Sequence, residues 1–170
     1  MKDTTKTINC PACGCEMTKI FVPEANINID ICLDGCGGIY FDNRELDKFD
    51  EQHENIDFIL EQIKGKEFKP VDTKEKRICP VCKTPMVKHF MSVKKEVEID
   101  DCYGCGAKFL DNGELQKIRA QYKDNEERNA VMREVVKETF GTEFAKLEAQ
   151  SIGRERSVLK KLYDSLFFGL

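Results

Sequence analysis

The residues with the clearest chemistry in this chain are cysteines that fall into closely spaced pairs. Cys10 and Cys13 form the first pair, and Cys32 and Cys36 form the second. Thiolates bind Zn²⁺ in closed, four-coordinate structural sites, and two cysteines two residues apart can turn around one metal ion. Two such pairs separated by about 15–20 residues are a zinc-binding pattern, and eighteen residues separate Cys13 from Cys32. The spacing therefore predicts a zinc site with four cysteine ligands.

The same arrangement returns 69 positions later in the chain. Cys79 and Cys82 repeat the first pair, and Cys102 and Cys105 repeat the second with one residue fewer between them. Because an internal repeat marks a repeated structural unit, we predict two Zn²⁺ per chain. A site with four protein ligands leaves no open coordination position for water or substrate, so we expect structural metal sites and no enzyme.

The chain has nine cysteines, an odd number that fits a closed disulfide framework poorly. The segment Met1–Asn9 is polar and lacks the apolar core of a signal peptide. No apolar run approaches the roughly 20 residues of a membrane helix. We therefore predict a cytoplasmic protein without a membrane contact, in which paired cysteines bind metal instead of forming disulfides.

The cysteine pairs need short strands to bring them together. Ile27, Ile29 and Ile31 alternate with polar residues before the second pair, which is typical of a half-buried strand. Asp42 to Glu45, and Asp111 to Glu114 in the second copy, match a capping box at a helix start. The predicted fold class is α+β, with two small three-stranded zinc ribbons, each followed by a helix, plus a helical C-terminal region.

These elements predict four segments. Residues 1–64 hold the first ribbon and its helix, 65–78 a basic linker, 79–119 the second ribbon, and 120–170 the helical C-terminal region. An apolar stripe within 157–168 predicts self-association through C-terminal helices, with intramolecular packing as the alternative. A second apolar series, whose polar member is His53, predicts one continuous helix with a packed seam; its members are Leu46, Phe49, His53, Ile56, Leu60 and Ile63.

Both copies resemble a known family. The resemblance rests on three motifs of the first copy. They are Cys10-Pro11-Ala12-Cys13, the segment Ile29-Asp30-Ile31 that precedes Cys32, and Cys36-Gly37-Gly38-Ile39-Tyr40-Phe41-Asp42 with Glu45-Leu46. They resemble the prokaryotic transcription factor IIB-like zinc-ribbon domain, here in tandem over roughly 10–50 and 79–119. The resemblance implies a zinc ribbon around each metal. Two departures are an extra residue between Cys32 and Cys36, and Ala107-Lys108 in place of Gly38-Ile39.

The function predicted is a zinc-binding interaction module in transcription or nucleic-acid processing. Its candidate contacts to nucleic acid or an acidic partner are four lysines of the second ribbon, Lys83, Lys88, Lys94 and Lys95. A net charge of −4 argues against indiscriminate nucleic-acid binding. The alternatives are a protein-only adaptor or oligomeric scaffold with the ribbons as folding staples, and a zinc-handling or thiol-redox protein. We expect a protein partner, with nucleic acid as a further candidate.

Two further expectations concern the first metal site. Cys15, whose repeat partner is Thr84, is either a spare or reactive thiol or a small loop residue, and we favour the loop residue. The second site has Lys83, Lys88 and Lys108 nearby in sequence, and cations stabilise thiolates. The sequence therefore predicts that the first zinc leaves sooner under a chelator.

Overall fold

The fold is given by a computed structural model, which describes residues 6–51, 53–92 and 94–150, and only the backbone of 140 and 142–150. The first repeat forms β1 (Thr18–Val22), β2 (Ile27–Ile31) and β3 (Ile39–Phe41), then a 3₁₀ turn (Leu46–Lys48) and α1 (Asp57–Ile63). The second forms β4 (Val87–Phe90), β5 (Glu98–Asp101), β6 (Lys108–Leu110) and α2 (Glu114–Ala120), and α3 (Asn125–Gln150) follows. The predicted α+β class and the two three-stranded ribbons are confirmed.

The two ribbons form one continuous sheet, which sequence analysis did not predict. The strand order is β1-β2-β3-β6-β5-β4 and every neighbouring pair is antiparallel. At the centre, Tyr40 lies opposite Phe109, its equivalent in the repeat. Because equivalent strands pair antiparallel at equivalent residues, the ribbons are related by an approximate two-fold axis through this pair.

The sheet separates two apolar clusters, as the two-residue period of a strand requires. Ile39 and Phe41 of β3 belong to the cluster that also contains Leu46 and Leu115, from the segments after each ribbon. Tyr40, between them, belongs to the other cluster, which holds the cysteines. The metal-binding face and the helical face of the sheet are therefore distinct.

Both predicted capping motifs make their backbone hydrogen bond. The Asp42 amide donates to Glu45 Oε2 at 2.8 Å, and the Asp111 amide donates to Glu114 Oε2 at 2.7 Å. Glu114 begins α2, whereas the segment after Glu45 makes only a single 3₁₀ turn. The same capping signal therefore precedes helices of different length.

The prediction of one continuous helix from Leu46 to Ile63 is wrong. The described residues between the 3₁₀ turn and α1 are not helical, and the His53 side chain is 65% exposed instead of lying in a packed seam. Arg119 of α2 explains the break, because its guanidinium donates to the backbone carbonyls of Phe49, Glu51 and Glu54. Carbonyls held in this way are not available for an uninterrupted helix.

Within the region 120–170, for which helices are predicted, the described residues contain α3 (Asn125–Gln150). The chain leaves the helical conformation between α2 and α3, and Gly141, with φ 51° and ψ −126°, marks a kink inside α3. The apolar stripe at 157–168 lies outside the described residues. Among the described helices, none has the length and apolar character needed to cross a membrane.

Candidate metal centres

The first cysteine pair of each site lies in a tight turn that both repeats build alike. The Gly14 amide donates to the Cys10 carbonyl at 2.9 Å, and the Lys83 amide donates to the Cys79 carbonyl at 3.0 Å. Gly14 and Lys83 occupy the same place in the repeat and both have positive φ, 75° and 64°. The turn aims both thiols of a pair at one point.

The second pair sits in a turn that differs by one residue between the copies. The Gly37 amide donates to the Cys32 carbonyl at 3.0 Å, and the Gly106 amide donates to the Cys102 carbonyl at 2.7 Å. Before the last ligand both copies have a glycine. A Cβ on Gly35 would lie 2.7 Å from the sulfurs of Cys13 and Cys32, and a Cβ on Gly104 would lie 2.6 Å from Thr84 Oγ1. Both turns therefore require a glycine there, and the longer spacing of the first copy still keeps Cys36 in its cluster.

The eight predicted ligands gather into two groups of four, as predicted. They are Cys10, Cys13, Cys32 and Cys36, and Cys79, Cys82, Cys102 and Cys105, with the four sulfurs of each group all within 4.8 Å of one another. The closest pairs are 3.4 Å and 3.5 Å apart in the first group, and 3.3 Å, 3.6 Å and 3.7 Å in the second. Four sulfurs at the Zn–S distance of about 2.3 Å form a tetrahedron with edges of about 3.8 Å. Each group of four sulfurs therefore fits one Zn²⁺.

The thiols within a group do not titrate alike. The hydrogen bond with Cys10 lowers the pKa of Cys36 to about 5, and the same bond holds the pKa of Cys10 above its usual range. Burial raises the pKa of Cys32 to about 12. In the second group, the Thr84 side chain lowers the pKa of Cys82 to about 6. Zinc binding therefore displaces protons from the remaining thiols, and affinity rises with pH.

The two centres differ in exposure. Cys82 is exposed, whereas the first group contains only buried and half-buried cysteines. Near the first group, Phe68 of the linker packs on Gly37, where a Cβ would lie 2.7 Å from the ring, and the Lys69 amide donates to the Gly35 carbonyl at 3.0 Å. The linker therefore covers the first centre.

Cys15 lies beside the first centre without joining its group of four ligands. A Cβ on Gly35 would lie 3.0 Å from Cys15 Sγ, next to the Cys13 and Cys32 sulfurs. Its hydrogen bond with Cys13 raises the pKa of the Cys15 thiol. At the repeat-equivalent position, Thr84 donates to Cys82. Cys15 therefore hydrogen-bonds with a ligand without belonging to the four, and its interpretation as a loop residue stays a prediction.

Tyr40 is a site residue that sequence reasoning missed. Its hydroxyl lies 3.3 Å from Cys79 Sγ, a ligand of the other ribbon, and burial holds the pKa of the phenol above its usual range. The protonated hydroxyl can donate to the thiolate. No sequence signal revealed this contact, because it depends on the pairing of β3 with β6.

The four candidate lysines of the second ribbon are not equivalent. Lys88 Nζ donates to Asp100 at 2.7 Å, and Lys94 contacts the Gln121 carbonyl, Glu127 and the Tyr122 ring. Lys83 and Lys95 are exposed on turns, and Lys83 Nζ donates to the Pro80 carbonyl at 2.7 Å. Lys108 is also paired, with Asp101 at 2.8 Å.

Comparison with known proteins gives one family. A model described as the transcription factor zinc-finger, of the TFIIB zinc-ribbon type, matches residues 9–51 and 78–121, about half of the chain. Neither the curated proteins nor the solved structures compared with the chain include a match. The two matched segments each contain one complete four-cysteine group. The chain therefore belongs to the TFIIB-type transcription factor zinc-finger family and carries two copies of its ribbon.

Proposed function

We propose that this protein is a zinc-dependent interaction module that acts in transcription or nucleic-acid processing and performs no catalysis. The observation that supports the proposal is the construction of two closed four-cysteine centres into one six-stranded sheet. Closed centres stabilise a surface instead of activating a substrate. The shared sheet fixes the two ribbons in one orientation, so a partner meets a rigid double-ribbon platform.

Nucleic acid is the partner suggested by the exposed cations of the second ribbon. Lys83 and Lys95 are exposed, and Lys83 Nζ donates to the neutral Pro80 carbonyl of its own turn. Lys88 and Lys94, by contrast, contact the carboxylates of Asp100 and Glu127. Lysine–phosphate pairing makes binding weaken steeply as salt rises, and the steepness grows with the number of phosphates that the protein neutralises. The proposal therefore assigns phosphate binding to Lys83 and Lys95 first.

The test is binding of single- and double-stranded DNA and RNA by the zinc-loaded chain over a series of salt concentrations. Lys83→Glu with Lys95→Glu should weaken binding at least tenfold and reduce its salt dependence. Lys64→Glu with Lys66→Glu makes the same charge change at exposed positions just after α1, outside the second ribbon, and should have a smaller effect. Salt-insensitive binding, or equal effects of the two variants, would argue against nucleic acid.

A protein-only adaptor or oligomeric scaffold is the second candidate, and a specific observation favours it. Phe21 on β1 and Phe90 on β4 are repeat equivalents, and they are 51% and 38% exposed. Since β1 and β4 are the two outer strands of the described sheet, each edge presents a phenylalanine. Exposed aromatic side chains are enriched at protein interfaces.

The second candidate makes a different prediction for the same binding experiments. Phe21→Ser with Phe90→Ser should abolish capture of a protein partner or reduce particle mass in native mass spectrometry. The lysine reversals should leave both unchanged. If the C-terminal helices hold the assembly instead of the sheet edges, the phenylalanine variant should keep its particle mass.

A further inference from the structure

Tyr40 lies where the two ribbons meet. It is fully buried, at 0% exposure, and its backbone is paired with Phe109 across the β3–β6 junction. From the first ribbon its hydroxyl reaches Cys79 Sγ of the second centre at 3.3 Å. Cys79 is itself 0% exposed, so no solvent competes for the contact.

The second ribbon does not donate an equivalent hydrogen bond from this position to the first centre. Phe109 is the repeat equivalent of Tyr40 and has no hydroxyl. Its ring packs against Gly38, where a Cβ would lie 2.3 Å from the ring atom Cζ. The second ribbon therefore gives the first centre an apolar contact, whereas the first ribbon gives the second centre a hydrogen-bond donor.

The first ribbon also touches the second centre at another point. Gly106, which follows the ligand Cys105, has φ +78°, and a Cβ there would lie 2.6 Å from the Asn43 side chain. At the equivalent Gly37, the neighbour is Phe68 of the linker. Each centre is thus covered by a segment outside its own ribbon, and for the second centre that segment belongs to the first ribbon.

Hydrogen bonds to metal-bound thiolates have a known physical effect. A Zn²⁺ with four thiolates carries a net charge of about −2, and burial makes that charge costly unless polar groups face it. A hydrogen bond to a charged group is stronger than one between neutral groups, and leaving the charged group without it is costly. Loss of an outer-shell partner typically costs about 10–100-fold in metal affinity.

We propose that Tyr40 of the first ribbon is a positioning residue for the second zinc centre, donating its hydroxyl proton to the Cys79 thiolate. The second centre is consequently complete only when the two ribbons are docked through β3 and β6. The first centre has no equivalent dependence on Phe109.

The test is Tyr40→Phe in the full-length chain loaded with zinc or with ¹¹³Cd²⁺. The variant keeps the aromatic ring and places at position 40 the residue type that already stands at the repeat-equivalent position 109. The sheet should therefore still form. Metal release from the second centre to a chelator should become about 10–100-fold faster. The ¹¹³Cd resonance of that centre should shift, while the first centre keeps its rate and its resonance.

Tyr103→Phe is the matched control, because it removes a hydroxyl from a 61% exposed tyrosine next to the ligand Cys102. It should leave both centres unchanged. If Tyr40→Phe speeds metal release equally at both centres, the variant is generally destabilised and the proposal is overturned. Unchanged release at both centres would also overturn it. In the unmodified protein, a slowly exchanging Tyr40 hydroxyl proton with a nuclear Overhauser contact to the Cys79 β-protons is expected, and its absence would also overturn it.

Discussion

The two ribbons have the same strands and metal ligands but different interiors. In the first, Ile31 of β2 lies opposite Ile39 of β3, and both are buried. In the second, the equivalent pair is Asp101 and Lys108, also buried and joined by an ion pair at 2.8 Å. One sheet position therefore accepts either an apolar or an ionic pair.

A second equivalent position repeats the contrast. Ile8 precedes the first centre and packs among the cysteines, whereas its counterpart Arg77 is 2% exposed and binds Asp100 at 2.6 Å and Asp111 at 2.9 Å. Buried ion pairs are seldom more stabilising than apolar contacts of the same volume. The comparison shows that the ribbon fold depends on the metal site and the strand pairing. Its buried side chains can be either apolar or ionic.

Removing one ligand from each centre should give the largest effect. Structural zinc contributes about 10–16 kcal/mol in small zinc domains, so Cys32→Ser and Cys102→Ser should each leave one zinc per chain in native mass spectrometry. Hydrogen exchange should show a difference between them, because the ionic interior of the second ribbon collapses less readily without metal. In Cys32→Ser, some amides of the first ribbon should stay protected from hydrogen exchange. If both variants lose protection equally in the altered ribbon, the proposed difference between the two interiors is contradicted.

The Lys108–Asp101 pair can be converted to the pair found in the first ribbon. Lys108→Ile alone removes the ammonium group from the buried Asp101 carboxylate, whose other neighbour is the His89 imidazole at 3.8 Å. It should destabilise the protein by about 3–5 kcal/mol. Lys108→Ile with Asp101→Ile should restore stability to within about 1 kcal/mol of the unmodified protein, or exceed it. Urea unfolding of the zinc-loaded chain measures both.

The reciprocal variant is the control for that cycle. Ile31→Asp with Ile39→Lys places the ionic pair in the first ribbon at the same register. If the sheet accepts either chemistry, this double variant binds two zinc ions and loses less stability than Ile31→Asp alone. A larger loss in the double variant would show that the two ribbon interiors are not interchangeable.

The two centres, more than the sheet, could be predicted from sequence. Spacing alone assigned all eight ligands, because a tetrahedral metal site constrains which cysteines can meet. The pairing of Tyr40 with Phe109 could not be derived, since nothing local to β3 or β6 specifies which edge each strand will pair with. The helix expected through His53 failed because Arg119, more than sixty residues away, binds the intervening carbonyls.

The order of zinc release should follow exposure. The lysines that led to the expectation of earlier loss from the first centre include Lys88 and Lys108, and both are paired with aspartates instead of facing thiolates. A segment from outside its own ribbon covers each centre. Cys82 of the second centre is nevertheless exposed, whereas the ligands of the first are buried or half-buried. We now expect a chelator to remove the second zinc several-fold faster, measured by ¹¹³Cd resonances during chelation. Earlier loss of the first zinc would show that exposure is not the controlling factor.

Glu114 provides a smaller, pH-dependent effect in the second ribbon. Burial raises the pKa of Glu114 to about 7, above its usual value. The folded state therefore retains a proton that the unfolded state has lost, and this group's contribution to stability falls as pH rises between about 5 and 7. Glu114→Gln should flatten that fall while its amide oxygen still accepts from the Asp111 amide. Glu98→Gln, at an exposed position, should not alter the pH profile measured by thermal unfolding.

The smallest effect is expected when the first centre receives the neighbour that the second already has. Cys15→Thr replaces a thiol that hydrogen-bonds with Cys13 by a hydroxyl, the group through which Thr84 contacts Cys82. Because the hydroxyl can also donate to a thiolate, two zinc ions should remain bound and stability should change by less than about 1 kcal/mol. Native mass spectrometry and thermal unfolding measure both quantities. One zinc per chain in this variant would make Cys15 a ligand, and the two centres would then differ in coordination as well as in exposure.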